Sequence, residues 1–243
     1  LYKHSKTDHQ LIEEEILQLL CKRAIEEVAP HSYGFRSQLF TIPKKTGQRK
    51  HVLNLRHLNQ YLPRQHFKTE SLKMACTLIN RGDYLTSIDL ADAFLHVLVH
   101  QPSRRYLQFA WDGRLFQFRV LPFGLSLSPM VFTKVVRPVL RWAPRKGIRL
   151  SAYLDDLLIV SKSLQTAWPH TRMVQRKLQD LGFMIRAIRS ILHPMQTLQH
   201  LGFIIDTRDM TLTVPSSKIR DLRREASRLL RSATCSLVIC HRS

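Results

Sequence analysis

Apolar residues in "DHQLIEEEILQLLCKRAIEEVAP" recur every three or four positions, with Ile12, Ile16, Leu19 and Leu20 on one face. That spacing predicts a helix. Glu13 to Glu15 fall in its first turn, where the helix dipole favours them, and Pro30 is placed to stop it. Two strand-like runs follow, "SQLFTIPKK" and "KHVLNL", joined by the turn-forming "KTGQ". "SLKMACTLINRGDY" predicts a short helix closed by Gly82. "YLTSIDLADAFLHVLVH" runs as a strand into Asp89 and on into a turn, and "RYLQFAWDGRLFQFRVLPFG" predicts a second hairpin turning at Asp112-Gly113. In "SPMVFTKVVRPVLRW", Ser128 stands as N-cap and Pro129 as first helical residue. Pro138 should kink that helix, and Pro144 lies just beyond it.

"RLSAYLDDLLIVSK" reads as two apolar strands with a pair of aspartates at the turn between them. "TRMVQRKLQDLGF" predicts a helix ending at Gly182, and "HLGFIIDTRDMTLTVP" holds two further strands. The tail "SSKIRDLRREASRLLRSA" keeps Ile219, Leu222, Ala226, Leu229 and Leu230 on one side, with Lys218 and five arginines over much of the rest. A basic helix of this kind is either simply solvated or laid against a duplex backbone. The mixture of strands and helices predicts an α+β fold. Neither GxxxxGK[ST] nor GxGxxG occurs, which argues against a P-loop or dinucleotide-binding enzyme.

Composition narrows the partner. Lys and Arg total 38 against 18 Asp and Glu, a formal charge of +20 on 243 residues. A surplus of that size implies a polyanion, most often nucleic acid. At 44% hydrophobic residues the chain has the makings of a core. Cys21, Cys76, Cys235 and Cys240 form no CxxC pair; Cys235 and Cys240 with His241 make only a loose cluster, weak as a zinc site. Free thiols fit an intracellular protein, in cytoplasm or nucleus. No run reaches the ~18 apolar residues of a membrane span, and no signal peptide is visible. The chain begins at Leu1 rather than Met, as expected of a piece of something longer.

The chemistry concentrates in "YLDDLLIV", where Asp155 and Asp156 sit side by side in an apolar run. Adjacent like charges repel, and burying either one unpaired is costly, so a cation should meet them. Mg²⁺ takes oxygen ligands from one or two carboxylates plus substrate phosphates. A third carboxylate is expected from a neighbouring strand, and Asp89, ending the strand in "LTSIDLADAF", is the candidate; the spacing of Asp92 points it toward a turn instead. Lys44, Lys45, Arg49 and Lys50 crowd the tip of the first hairpin, as a solvated lysine-rich loop or as a clamp for phosphates.

The ordered set "SIDLADAF", "LPFGLSLSP", "YLDD", "LGF" before a basic segment, and "HLGF" resembles the reverse transcriptases over nearly the whole chain. In style, "LFTIPKKTG", "LNLRHLN" and "LPFGLSLSPMVFTK" look closest to DIRS-type retrotransposons, the tyrosine-recombinase group. The resemblance implies a right-hand polymerase: fingers at 1–82 and 101–127, a ferredoxin-like palm at 83–100 and 128–214, and the start of a thumb from 215 to 243. It implies metal binding by Asp89 and Asp155, with Asp156 as supporting neighbour, and two Mg²⁺ ions, Mn²⁺ being a substitute. Phe94 matches the aromatic that excludes a 2′-hydroxyl, or else is ordinary core. Lys44, Lys45 and Lys50 match triphosphate contacts, Lys50 replacing the usual arginine and losing its bidentate fork.

By the same resemblance Arg56 lies near the template strand. Phe123 stands where retroviral enzymes carry glutamine, and Gly124 lets the backbone approach the nucleotide. After Gly182 the chain departs from the family, reading "GFMIRAIRS" with Arg186 and Arg189 where Asn and Lys are common. Arg189 can stabilise pyrophosphate charge but is a poor proton donor. Leu201, Gly202 and Phe203 resemble the grip on the primer end, though an ordinary strand would read the same. The expected activity is RNA-directed DNA synthesis from dNTPs on a primed RNA or DNA template. The rival readings are an inactive nucleic-acid-binding module and an RNA-directed RNA polymerase. An RNase H or recombinase domain would have to lie elsewhere in a longer protein.

Overall fold

The computed structural model describes residues 6–43, 49–63, 67 and 71–231. In chain order these form α1 (Lys6–Cys21), β1 (Ile25–Val28), β2 (Gln38–Pro43), β3 (Arg49–Asn54), α2 (Arg56–Gln60), α3 (Leu72–Thr77), β4 (Tyr84–Asp89), a 3₁₀ turn (Ala93–His96), α4 (Gln101–Arg104), β5 (Gln108–Trp111) and β6 (Arg114–Phe118). Then come α5 (Ser128–Arg145), β7 (Arg149–Tyr153), β8 (Asp156–Ser161), α6 (Leu164–Asp180), β9 (Ile191–Met195), β10 (Thr197–His200), β11 (Phe203–Asp206), β12 (Thr211–Thr213) and α7 (Ser216–Arg231). The architecture is α+β, as the pattern predicts.

The central sheet has the order β7-β8-β4-β9, with every pairing antiparallel. Both of its faces are covered, which is why "LLIV" carries no polar alternation. Leu157 and Ile159 join Ile88, Leu90, Phe132, Val136, Val139, Val174 and Leu178 in a core beneath α5 and α6. Leu158 and Val160 turn the other way, onto Leu85, Ala75, Ile79, Leu198 and Ile205. A separate core gathers Ile12 and Ile16 of α1 with Ile25, Leu53, Leu55, Phe109, Phe116 and Phe118, around the sheet β1-β6-β5.

Several boundaries differ from the expectation. The first helix stops at Cys21, not Pro30, with Arg23 in a left-handed conformation at φ 52°. "IEEV" becomes β1, paired antiparallel with β6, because Ile25 is needed in the core while Glu27 meets Arg114 and Glu26 meets Arg104 and Gln117. Helical periodicity could not see those distant partners. Helix α3 is capped by Ser71, as its Oγ accepts from the Met74 amide, but ends at Thr77; Gly82 instead turns the chain into β4 at φ 80°.

Leu127 occupies the N-cap position of helix α5 without a side-chain cap, and Ser128 is already helical. The Ser128 hydroxyl donates to the Pro122 carbonyl (3.0 Å) rather than capping an amide. The helix continues through Pro138 and takes Pro144 into its last turn. Helix α6 begins at Leu164, seven residues before the expected start, because Ser163 and Thr166 form a reciprocal capping box. Strands β9 and β10 are additions to the predicted set. Pro194 hides β9 from a strand pattern, and is tolerated because β9 is the sheet edge.

One buried ion pair fastens the central sheet to α3. The Asp83 side chain is 4% exposed, and Arg149, opening β7, donates to both of its oxygens at 2.6 and 2.9 Å. The same guanidinium donates to the Leu78 carbonyl at 2.7 Å, and Asp83 also accepts from the Asn80 amide at 2.6 Å. Replacing one partner would leave the other charge buried and unpaired. Arg149→Met should therefore lower unfolding free energy by ~3–5 kcal/mol in chemical denaturation.

Candidate active site

Six residue pairs set the register between β4 and β8, and the last brings Asp89 opposite Asp156. Directly opposed residues of an antiparallel pair project from the same face. By alternation from Leu85 and Leu158, that face is the one away from α5 and α6. Asp155 occupies the two-residue turn between β7 and β8, where Tyr153 pairs with Asp156. The turn's other residue, Leu154, is held at φ 54°, a strained conformation for a side chain branched at Cγ. The Leu90 amide donates to the Asp155 carbonyl at 2.9 Å, tying the turn to the end of β4.

Burial and mutual repulsion act on these groups. Desolvation, then the neighbouring charges of Asp155 and Asp89, pushes Asp156 up to about 6. Desolvation also raises Asp155, with the Asp89 charge adding to it; Arg186 and Arg189 pull in the opposite direction on both. Asp89 is 7% exposed. The Arg186 guanidinium donates to its Oδ1 at 2.9 Å, and the Arg186 amide donates to its carbonyl at 2.8 Å. Ser190 closes the cluster, its hydroxyl accepting from the Asp89 amide at 3.0 Å and donating to the Arg186 carbonyl at 2.9 Å.

The chemistry of the cluster suits a divalent cation: oxygen donors on adjacent strands, sharing a charge excess that burial makes costly. Among the described residues no group of three or more His, Cys, Asp or Glu could hold a metal ion, so the three aspartates are not a preformed cage. Mg²⁺ needs only one or two carboxylates when phosphates complete its shell. Asp92 lies outside the cluster, ion-paired with Lys22 at 2.8 Å.

The other residues singled out from the sequence lie on several different elements. Phe94, in the 3₁₀ turn, meets Phe123 edge-on at 5.1 Å and Phe132 at 5.6 Å. It therefore joins the exposed Phe123 of "LPFG" to the core under α5. Gly124 has φ 91°, and a Cβ there would touch the Leu53 carbonyl at 3.4 Å, so glycine is required by conformation more than by space. Arg189 is exposed, its amide donating to the Arg186 carbonyl at 3.2 Å.

Arg56 is exposed at the start of α2. Lys44 and Lys45 lie outside the described residues. Lys50 stands in β3 opposite Ile42, with its side chain outside the described set. Leu201 and Gly202, at φ 49° and 79°, form the tight turn of the β10–β11 hairpin, and Phe203 opens β11. Lys218 of α7 lies over Gly202. Asn59, inside "LNLRHLN", carries no signal of its own in the sequence, yet the structure gives it a part. Its Nδ2 donates to the Gly124 carbonyl and its Oδ1 accepts from the Ser126 amide, both at 2.9 Å. With Ser128 on Pro122, this side chain holds "LPFGLS" from two sides.

A sequence profile described as reverse transcriptase (RNA-dependent DNA polymerase) matches residues 7–205, and the chain belongs to that family. Among relatives, the Transposon Tf2-3 polyprotein of Schizosaccharomyces pombe is 26% identical over 170 residues, which is 70% of this chain and 12% of the polyprotein. The Tf2-7 polyprotein of the same organism is 25% identical over the same length. The chain thus spans about an eighth of these relatives. Among solved structures, the foamy viral protease-reverse transcriptase in complex with double-stranded DNA aligns with a TM-score of 0.77 at 21% identity, covering 96% of this chain and 46% of that one. Its complex with an RNA/DNA hybrid aligns at 0.77 and 22% identity, covering 94% and 31%. These structures share the fold.

Asn59→Ala removes both bonds to the "LPFGLS" segment. It should cost ~0.5–1.5 kcal/mol for each exposed hydrogen bond lost, measured by denaturant titration.

Proposed function

We propose that the chain is the polymerase domain of a retrotransposon reverse transcriptase, extending a primer 3′-hydroxyl with dNTPs on an RNA or DNA template. The observation that carries this is the pairing of Asp89 with Asp156 beside the Asp155 turn. Asp89 and Asp155 would hold two Mg²⁺ ions (or Mn²⁺), with Asp156 supporting them. When bound, the ions activate the attacking hydroxyl and stabilise the leaving pyrophosphate. The protein's own contribution is positioning and electrostatics, with no side-chain nucleophile. Arg189 offsets charge near the acids, and Lys44, Lys45 and Lys50 bind the triphosphate.

In this reading Phe94, packed against Phe123, fills the space a 2′-hydroxyl would need, and Gly124 brings backbone close to the nucleotide. Arg56 contacts template, and Leu201, Gly202 and Phe203 seat the primer end. Residues 1–82 and 101–127 serve as fingers, 83–100 and 128–214 as palm, and 215–243 begin a thumb. The +20 charge serves template–primer binding, which should weaken with salt. Among the described residues no helix is long and apolar enough to cross a membrane. The motif style favours the DIRS-type group within the family.

Primer extension on a primed RNA template tests this. Product should require divalent metal and disappear in Asp155→Asn while duplex binding persists. Phe94→Val should admit ribonucleotides that the wild type rejects. Duplex binding without wild-type synthesis would mark a binding module instead, and preference for ribonucleotides would mark an RNA polymerase.

A further inference from the structure

Aromatic and cationic side chains gather at a second place, away from the aspartates. Tyr33, His57, Tyr61, Arg105 and Tyr106 are exposed, Tyr33 at 84% and Tyr61 at 71%. Phe35 stacks on His57 at 5.4 Å with the rings 24° apart, and Tyr61 stands edge-on to His57 at 5.4 Å. The Arg105 guanidinium lies 6.0 Å from the Tyr33 ring and 5.0 Å from that of Tyr106. The two groups are one surface, because the Phe35 amide donates to the Arg105 carbonyl at 2.8 Å.

That junction depends on Gly34. A Cβ at this position would collide with the Arg105 carbonyl and the Gln108 side chain. The missing side chain lets the backbone at Gly34 and Phe35 pass close against the segment before β5. The charge is one-sided as well. Segments 29–43, 55–63 and 96–110, which contribute to the surface, contain no Asp or Glu, while Arg36, Arg56 and Arg105 lie exposed within them; Arg104 is instead drawn onto Glu26.

We infer that this surface is a stacking platform for single-stranded nucleic acid. Exposed rings offer faces to unpaired bases, and the guanidinium that braces two of them adds charge for the phosphates. A duplex keeps its bases stacked on each other and presents phosphates only, so it gains little from the tyrosines. The identification of the bound strand as uncopied template rests on the polymerase reading; the platform itself does not require catalysis.

The test is fluorescence anisotropy with a labelled oligouridine and, separately, a blunt RNA/DNA hybrid, using the 243-residue chain. Replacing Tyr33 and Tyr61 together by Ala should weaken oligouridine binding ~thirtyfold or more, the loss expected for two stacked bases, with recovery in the Phe pair. Hybrid binding, set by phosphate contacts, should not change. Unchanged oligouridine affinity in the Ala pair, or an equal loss on the hybrid, overturns the platform. If the wild type synthesises no DNA but the Ala pair still loses oligouridine selectively, the polymerase reading fails and the platform stands.

Discussion

The register between β4 and β8 is the constraint on which the site depends. Shifting one strand by a single residue would turn Asp89 or Asp156 to the opposite face and bury a charge beneath α5 and α6. The apolar residues prevent that slip. Leu157 and Ile159 fill one core while Leu158 and Val160 fill the other, so neither strand has a second register that keeps both cores intact. The acids inherit a geometry fixed by hydrophobic packing on both sides of the sheet. Their mutual repulsion is tolerated because the packing over-determines it, as is the left-handed Leu154 in the adjoining turn.

Arginines dominate the electrostatics around that register. Arg186 holds Asp89 directly, Arg189 acts on the aspartates of the turn from the exposed side, and Arg149 anchors Asp83 at the other end of the same sheet. The family resemblance implies Asn and Lys where this chain has Arg186 and Arg189. The bond from Arg186 to Asp89 gives the first of these departures a physical reason, since it neutralises a buried carboxylate. A guanidinium does so without surrendering its proton.

The central sheet was legible in the sequence because its signals are local. "YLTSID" and "DLLIVS" are continuous apolar runs ending or beginning in acid; in the β1-β6-β5 sheet, Asp112-Gly113 likewise supplies the left-handed turn that the β5–β6 hairpin needs. The failures share a different cause. "IEEV" carries helical spacing but is claimed by β6, and "ILHPM" contains a proline that only an edge position excuses. Ser128 looks like a cap but is drawn to Pro122, and Asn59 finds Gly124 and Ser126 far along the chain. Each was decided by a partner from another part of the sequence, which no local pattern encodes. At the site the three acids and their order were readable; the hold of Arg186 on Asp89 was not.

If the sheet sets these carboxylates for catalysis, Asp89 and Asp155 share divalent metal once phosphates are present. Mn²⁺ titration followed by electron paramagnetic resonance, with primer–template and a dNTP bound, addresses this without relying on turnover. Mn²⁺ should bind the wild type, and that binding should be lost in both Asp89→Asn and Asp155→Asn. Mn²⁺ binding that survives either substitution undiminished is incompatible with a metal held between them.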